Sequence, residues 1–173
     1  ASADYNYVNT DTCPKVYGGF NTSLSWKGFD LSAIFAYSIG GYIYNRDITM
    51  ILHNGSLEGR DWSTEILRRW TPENRDTDVP ALSTTSNNWN SASTRFLQNN
   101  SYMRLKNLTL SYNLPKQWIS KLSLSSVQVY VQGDNLFTIH RNQGLDPEQG
   151  ITGITYYRYP AMRTISGGIN VAF

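Results

Sequence analysis

The sequence predicts an all-β chain: an antiparallel meander of about five long strands, with a short helix in one of two long connections. Three observations carry that expectation. Apolar residues recur at every second position through several long stretches, the period of a strand whose two faces meet different surroundings. Short turns alternate with long polar connections. The composition is thinly charged and rich in aromatics: 16% of the 173 residues are charged, against about 25% in soluble domains, and 13% are aromatic, with 12 Tyr and 5 Trp.

Residues 1–15 are polar and aperiodic and read as loop. From Val16 to Trp26 one face is Val16, Gly18, Phe20, Thr22, Leu24 and Trp26, and the other is Tyr17, Gly19, Asn21, Ser23 and Ser25. Lys27-Gly28 then supplies a tight turn, because Gly accepts the positive φ that a two-residue hairpin loop requires. The next strand sets Phe29, Leu31, Ala33, Phe35, Tyr37 and Ile39 against Asp30, Ser32, Ile34, Ala36 and Ser38. Together they predict a long antiparallel hairpin that ends at Gly40-Gly41.

A connection from about 40 to 100 follows. Within it Asp61 to Trp70 is expected to be helical, with Trp62, Ile66 and Trp70 on one stripe and Glu65 four residues before Arg69. Pro72 disfavours helix at Thr71 and so stops it. The third strand is Tyr102 to Asn113, where Leu108, Leu110 and Tyr112 alternate with Thr109, Ser111 and Asn113. Leu114-Pro115 breaks it, and Lys116 to Leu122 reads as a short helical turn. The fourth strand runs from Val127 to about Ile139, with its far half, Asn135-Leu136-Phe137-Thr138, less regular. A second long loop, about 140–161, holds Asp146-Pro147-Glu148 and three tyrosines. The closing strand alternates Ile165, Gly167, Ile169, Val171 and Phe173 with Ser166, Gly168, Asn170 and Ala172.

The alternation of short and long connections is that of an outer-membrane β-barrel, with short periplasmic turns and long extracellular loops. Lipid offers backbone groups no hydrogen bonds, so a sheet spans it only as a closed barrel. Such barrels need at least about 8 strands, so five imply a piece of a larger one. No run of apolar residues is long enough for a transmembrane helix, and strands do not need one. The opening Ala1-Ser2-Ala3-Asp4 reads as a mature or internal start. Net charge is only +2, with Lys and Arg scattered, so no nucleic-acid footprint is expected. The single cysteine, Cys13, excludes an internal disulfide.

No catalytic set emerges, so an enzyme is not expected, and neither a cofactor nor a metal is implied. His53 and His140 lie in separate loops and are expected to be solvated. Gly18-Gly19 and Gly167-Gly168 precede no helix and read as relief of crowding in a curved sheet rather than as phosphate loops. Asp146-Pro147-Glu148 supplies too few ligands for Ca²⁺ and reads as a proline-fixed turn. Trp89 and the Tyr156-Tyr157 pair are the candidates for contact with a ligand or a partner, because they sit in aperiodic polar loops.

Several stretches together resemble the C-terminal end of SusC/RagA-type TonB-dependent outer-membrane transporters of Bacteroidetes. They are Val16-Tyr17-Gly18-Gly19-Phe20-Asn21 with Trp26-Lys27-Gly28-Phe29-Asp30-Leu31, then Arg69-Trp70-Thr71-Pro72-Glu73-Asn74. Further on come Ser101-Tyr102-Met103-Arg104-Leu105-Lys106-Asn107-Leu108-Thr109-Leu110, Gln132-Gly133-Asp134-Asn135-Leu136-Phe137-Thr138, Gly144-Leu145-Asp146-Pro147-Glu148, and the ending from Tyr159-Pro160 to Phe173. The resemblance implies that residues 1–173 form the last part of a roughly 22-stranded transmembrane β-barrel without its plug. It implies import of oligosaccharides or peptides across a bacterial outer membrane, driven by TonB through parts absent here. It also implies a SusD-like surface lipoprotein as lid, and Ile169, Val171 and Phe173 as the signal read by the barrel-assembly machinery. The alternative is a soluble all-β carbohydrate-binding module. In that case Phe29 to Ile39, Val127 to Val131 and Ile165 to Phe173 would pack on one another in a core.

Overall fold

Lys27 and Gly28 both take positive φ, 47° and 89°, so the two-residue turn twists the way its flanking strands do. In the computed structural model, which describes residues 7–53, 57, 59–83, 91–144, 146–148, 152–155 and 157–173, that turn starts a meander. The strands are β1 (Val16–Trp26), β2 (Phe29–Ile39), β3 (Tyr42–Asn45), β4 (Leu97–Asn99), β5 (Tyr102–Asn113), β6 (Ser126–His140), β7 (Ile154–Thr155) and β8 (Thr164–Ala172). Helices α1 (Arg46–Ile51) and α2 (Lys116–Ile119) and 3-10 turns at Thr64–Arg68, Thr94–Phe96 and Ser120–Leu122 complete the described elements. The chain divides into two units. One comprises Cys13–Gly41, Asn100–Glu148 and Tyr159–Phe173; the other comprises Ala1–Thr12, Tyr42–Asn99 and Gln149–Arg158.

The first unit is one five-stranded sheet in the order β1-β2-β5-β6-β8, antiparallel throughout. Its register carries one apolar row from strand to strand. Trp26 faces Phe29, Phe29 faces Tyr112, Tyr112 faces Val129, and Val129 faces Ile169. The five long strands thus lie where the alternation predicts them.

Apolar side chains on the face of that row are exposed. Leu24 is 67% exposed, Val131 55%, Ile165 76% and Ile169 65%. A soluble sandwich would have buried these side chains. Rings cover part of the face by cross-strand packing: Phe20 stacks on Phe35 with centroids 4.8 Å apart, and Phe29 lies 4.5 Å from Tyr112. The paired glycines relieve crowding, as expected. A Cβ on Gly18 would stand 3.0 Å from the Tyr37 hydroxyl, and one on Gly168 would stand 2.7 Å from the Tyr130 hydroxyl. Each glycine therefore makes room for a tyrosine ring on the neighbouring strand.

A pair of irregularities crosses the middle of the sheet. Lys106 is an extra residue in β5 against the Ile34–Phe35 step of β2, and on the other side it stands opposite two unpaired residues of β6, Asn135 and Leu136. Asn135 takes a positive φ of 53°. Such bulges change which sequence positions face which side. Below them the polar face of β5 is Asn107, Thr109 and Ser111; above them it is Arg104.

The second unit corrects the expectation of a long aperiodic connection. It holds a three-stranded sheet, β4-β3-β7, in which β3 and β4 are antiparallel and β3 and β7 are parallel. Tyr44 pairs with Leu97 from the same connection and with Ile154 from the second. Asn45 starts α1, its side chain accepting from the Ile48 N–H at 3.1 Å. Ile43, Leu52, Ile66, Val79 and Phe96 are buried, as in a small water-soluble core.

The helix expected over Asp61 to Trp70 is only the 3-10 turn Thr64–Arg68. Ser63 opens it by accepting from the Glu65 N–H at 3.2 Å. Its last carbonyls are taken by side chains: Asn74 Nδ2 donates to Arg68 and Arg69, and Thr77 Oγ1 to Arg68. The helix cannot extend past them. Glu65 consequently pairs with Arg68 rather than with Arg69. Of the Trp62, Ile66, Trp70 stripe only Ile66 is buried. The helical turn after Pro115 is present, as α2 and the turn that follows it.

Candidate functional site

The side of the five-stranded sheet opposite its apolar row is a lattice of hydrogen bonds between short polar side chains. Ser25 Oγ and Asn113 Nδ2 both donate to Asp30. Gln128 donates to Ser111 at 3.3 Å, and Asn170 donates to Gln128 at 3.2 Å, which joins β5, β6 and β8. Asn107 Nδ2 donates to Asp134 at 2.8 Å, and Gln132 donates to the same carboxylate. Each of these positions alternates with an apolar one, so the lattice follows directly from strand period. Amides and hydroxyls dominate it, with Asp30 and Asp134 as the carboxylates that accept from them. Such a surface can exchange hydrogen bonds with a polar solute.

Near the end of β5 and β6 that leads into residues 141–163, four charges form one cluster. Arg104 is 3% exposed and fully engaged. Its Nε donates to Thr138 Oγ1 at 2.9 Å, Nη1 to Glu148 at 2.8 Å, and Nη2 to Asp146. Lys106 Nζ donates to the same Glu148. Asp146 also accepts from the Glu148 N–H at 2.9 Å and from the Ala161 N–H at 2.6 Å. Burial pushes the Asp146 carboxyl up, but those two backbone donors and the Arg104 guanidinium outweigh it and hold the group below its ordinary value. Asn100 Nδ2 donates to the Pro147 carbonyl at 2.9 Å, and Pro147 itself is buried. The Asp146-Pro147-Glu148 turn is thus an ion-paired clamp that draws residue 161 to residue 146. Sequence reasoning missed its partners. The available signal was two cations two residues apart in a strand of a chain otherwise poor in charge.

Of the loop aromatics, Trp89 and Tyr156 lie outside the described residues. Tyr157 is 66% exposed with φ of +48°. Its N–H donates to Asp47 Oδ1 at 3.0 Å, and its hydroxyl accepts from Arg60 Nη1 at 3.4 Å. Ile169 and Val171 sit together on the apolar face of β8, opposite Val129 and Val127, and Phe173 is 94% exposed beyond the strand. His53 departs from expectation. It is 1% exposed, with its ring edge-on to Trp62 at 5.5 Å, because the folded connection encloses it. His140 is exposed at the end of β6, as expected, its Nδ1 2.9 Å from the Asn142 carbonyl. Among the described residues no three His, Cys, Asp or Glu side chains gather as a metal site.

The chain matches no model of a known protein family. Across its whole length it is 34% identical over 184 residues to a TonB-dependent receptor of Formosa agariphila, covering 18% of that protein. It is 27% identical to the TonB-dependent receptor SusC of Bacteroides thetaiotaomicron, covering 96% of this chain and 16% of that protein. Among solved structures the RagAB peptide importer in its open-open state superposes with a TM-score of 0.84 at 33% identity, over 96% of this chain and 18% of that one. The closed-closed state of the same importer gives 0.82. The chain therefore spans under a fifth of the length of these relatives.

Proposed function

Because this chain belongs to the SusC/RagA type of TonB-dependent receptors, we infer that residues 1–173 are the C-terminal part of the barrel wall of an outer-membrane importer. The apolar row from Trp26 to Ile169 faces lipid, and the polar lattice faces the lumen through which solute passes. The observation that carries this reading is the exposed apolar face of a sheet whose other face carries cross-strand polar hydrogen bonds. The cargo is an oligosaccharide or peptide, in keeping with a lattice of amides and hydroxyls. Import is driven by TonB, and a SusD-like lipoprotein closes over the extracellular mouth. The connections at about 40–100 and 140–161 lie on that outer side, where Trp89, Tyr156 and Tyr157 meet cargo or lid. Ile169, Val171 and Phe173 form the address read by the assembly machinery.

Single cysteines in the full-length protein test the wall. A probe at Val131 or Ile169 is expected to be quenched by lipid-borne quenchers and ignored by water-soluble thiol reagents. A probe at Gln128 or Ser166 is expected to behave the opposite way. Equal access of water to both sets would favour the soluble carbohydrate-binding module instead. Deleting Phe173 is expected to lower the amount of protein assembled in the outer membrane; unchanged assembly removes the address. Alanine at Tyr157 is expected to reduce uptake at constant barrel abundance.

A further inference from the structure

The two short connections and Phe173 lie at one end of the sheet. The Asn113 N–H donates to the Gly28 carbonyl at 2.8 Å, the Leu114 N–H to Val127 at 2.9 Å, and the Ser125 N–H to Ala172 at 2.8 Å. That end has an unusual charge content. Residues 26–28 and 114–125 contain Lys27, Lys116 and Lys121 but no Asp, Glu or Arg, although the chain has 13 acidic residues. All three lysines are exposed, and none of them makes an ion pair among the described residues. Asp30, the acid closest in sequence to the first turn, already accepts from Ser25 and Asn113 on the polar face.

Two tryptophans accompany the lysines. Trp26 is 63% exposed and Trp118 64%. Lys27 Nζ lies 4.9 Å from the Trp26 ring centroid, a cation–π contact that holds the ammonium beside the aromatic. Trp favours the boundary between hydrocarbon and water, where its ring is apolar and its N–H is wet. Lysine reaches past that boundary with a compact ammonium suited to a phosphate oxygen. Interfacial tryptophans beside unpaired lysines therefore match a surface whose hydrocarbon ends in negative phosphate groups.

We propose that this end of the sheet is a docking surface for anionic phospholipid headgroups of the periplasmic leaflet, bound through Lys27, Lys116 and Lys121. The proposal rests on the wall reading above and adds to it a preference among lipids. The lysines discriminate by charge, and the tryptophans fix the depth at which the ammonium groups meet the headgroups. Attraction of this kind falls with ionic strength, because the cations are exposed.

The test uses the full-length protein in vesicles of phosphatidylethanolamine mixed with phosphatidylglycerol, with co-purified lipid measured by mass spectrometry. Wild type is expected to enrich phosphatidylglycerol. The triple variant Lys27→Gln, Lys116→Gln, Lys121→Gln is expected to lose that enrichment by about tenfold or more at low salt. The triple Lys→Arg variant is expected to keep it, a rescue that a merely structural role of the lysines would not produce. Lys15→Gln, outside these turns, is expected to leave it unchanged. Failure of the protein to enter vesicles at all would count against the wall reading. Insertion with equal retention of both lipids, or enrichment surviving the glutamine variant, would overturn the docking surface alone.

Discussion

The two units of this chain place their apolar side chains in opposite ways. In the five-stranded sheet Leu24, Val131, Ile165 and Ile169 are exposed, while the opposite face binds itself together through amides, hydroxyls and carboxylates. In the unit built on β3, Ile43, Val79 and Phe96 are at most 2% exposed. One sequence has been written for two solvents. Burial from water drives the second arrangement. The first leaves its apolar groups outside such burial, and its strands are held by the antiparallel ladder from β1 to β8.

Substitutions can break that contrast, and the largest effect is expected in the water-facing unit. Phe96→Ala is expected to cost that unit about 3–5 kcal/mol, read as lost hydrogen-exchange protection in β3 and β4 with β5 and β6 unaffected. Removing one partner from the buried clamp is expected to cost a similar amount. Arg104→Met leaves Asp146 buried without its cation, at about 3–5 kcal/mol, and residues 141–163 should become protease-sensitive. Asp146 adds an acid limb to the same measurement. Its carboxyl sits below the ordinary value in the folded chain, so its stabilisation is present at neutral pH and lost as pH falls through that depressed value. Asp146→Asn is expected to remove the limb.

A smaller substitution sharpens the comparison most. Val131 is half exposed, and in water Val131→Arg would fall within about 0.5 kcal/mol of neutral. Facing lipid near mid-strand, it is expected to cost about 2–4 kcal/mol in a folding assay into vesicles. Phe20→Ala should cost least, about 0.5–1.5 kcal/mol from its stack on Phe35 beyond the area it covers.

The sheet was legible because each strand is long enough to display its period, and Lys27-Gly28 marks the turn unmistakably. The irregular half of the fourth strand has a cause: Asn135 turns to positive φ, and Asn135 and Leu136 stand unpaired opposite Lys106. The unit around β3 was illegible for an equally physical reason. Strands of four, three and two residues show no period, and the partner of Tyr44 lies at Ile154, far along the chain. Burial of His53 follows from that pairing and could not be read without it. The charged clamp was visible only as separate residues, since Arg104 and Asp146 come from different elements. Tyr157 stands out in the sequence as an aromatic in a polar loop, and in the fold it bonds to Asp47 and Arg60.

The parallel pairing of β3 with β7 has a consequence for engineering the connections that carry them. The hydrogen bond from the Tyr44 N–H to the Gly153 carbonyl, at 2.7 Å, makes two sequence-distant excursions into one inheritable part. A graft that carries residues 40–100 alone into another scaffold arrives with the edge of β3 unsatisfied, and one that carries 140–161 alone brings a strand of two residues with nothing to join. The transplantable piece is both together, and designed libraries that diversify these excursions should recombine them as a pair.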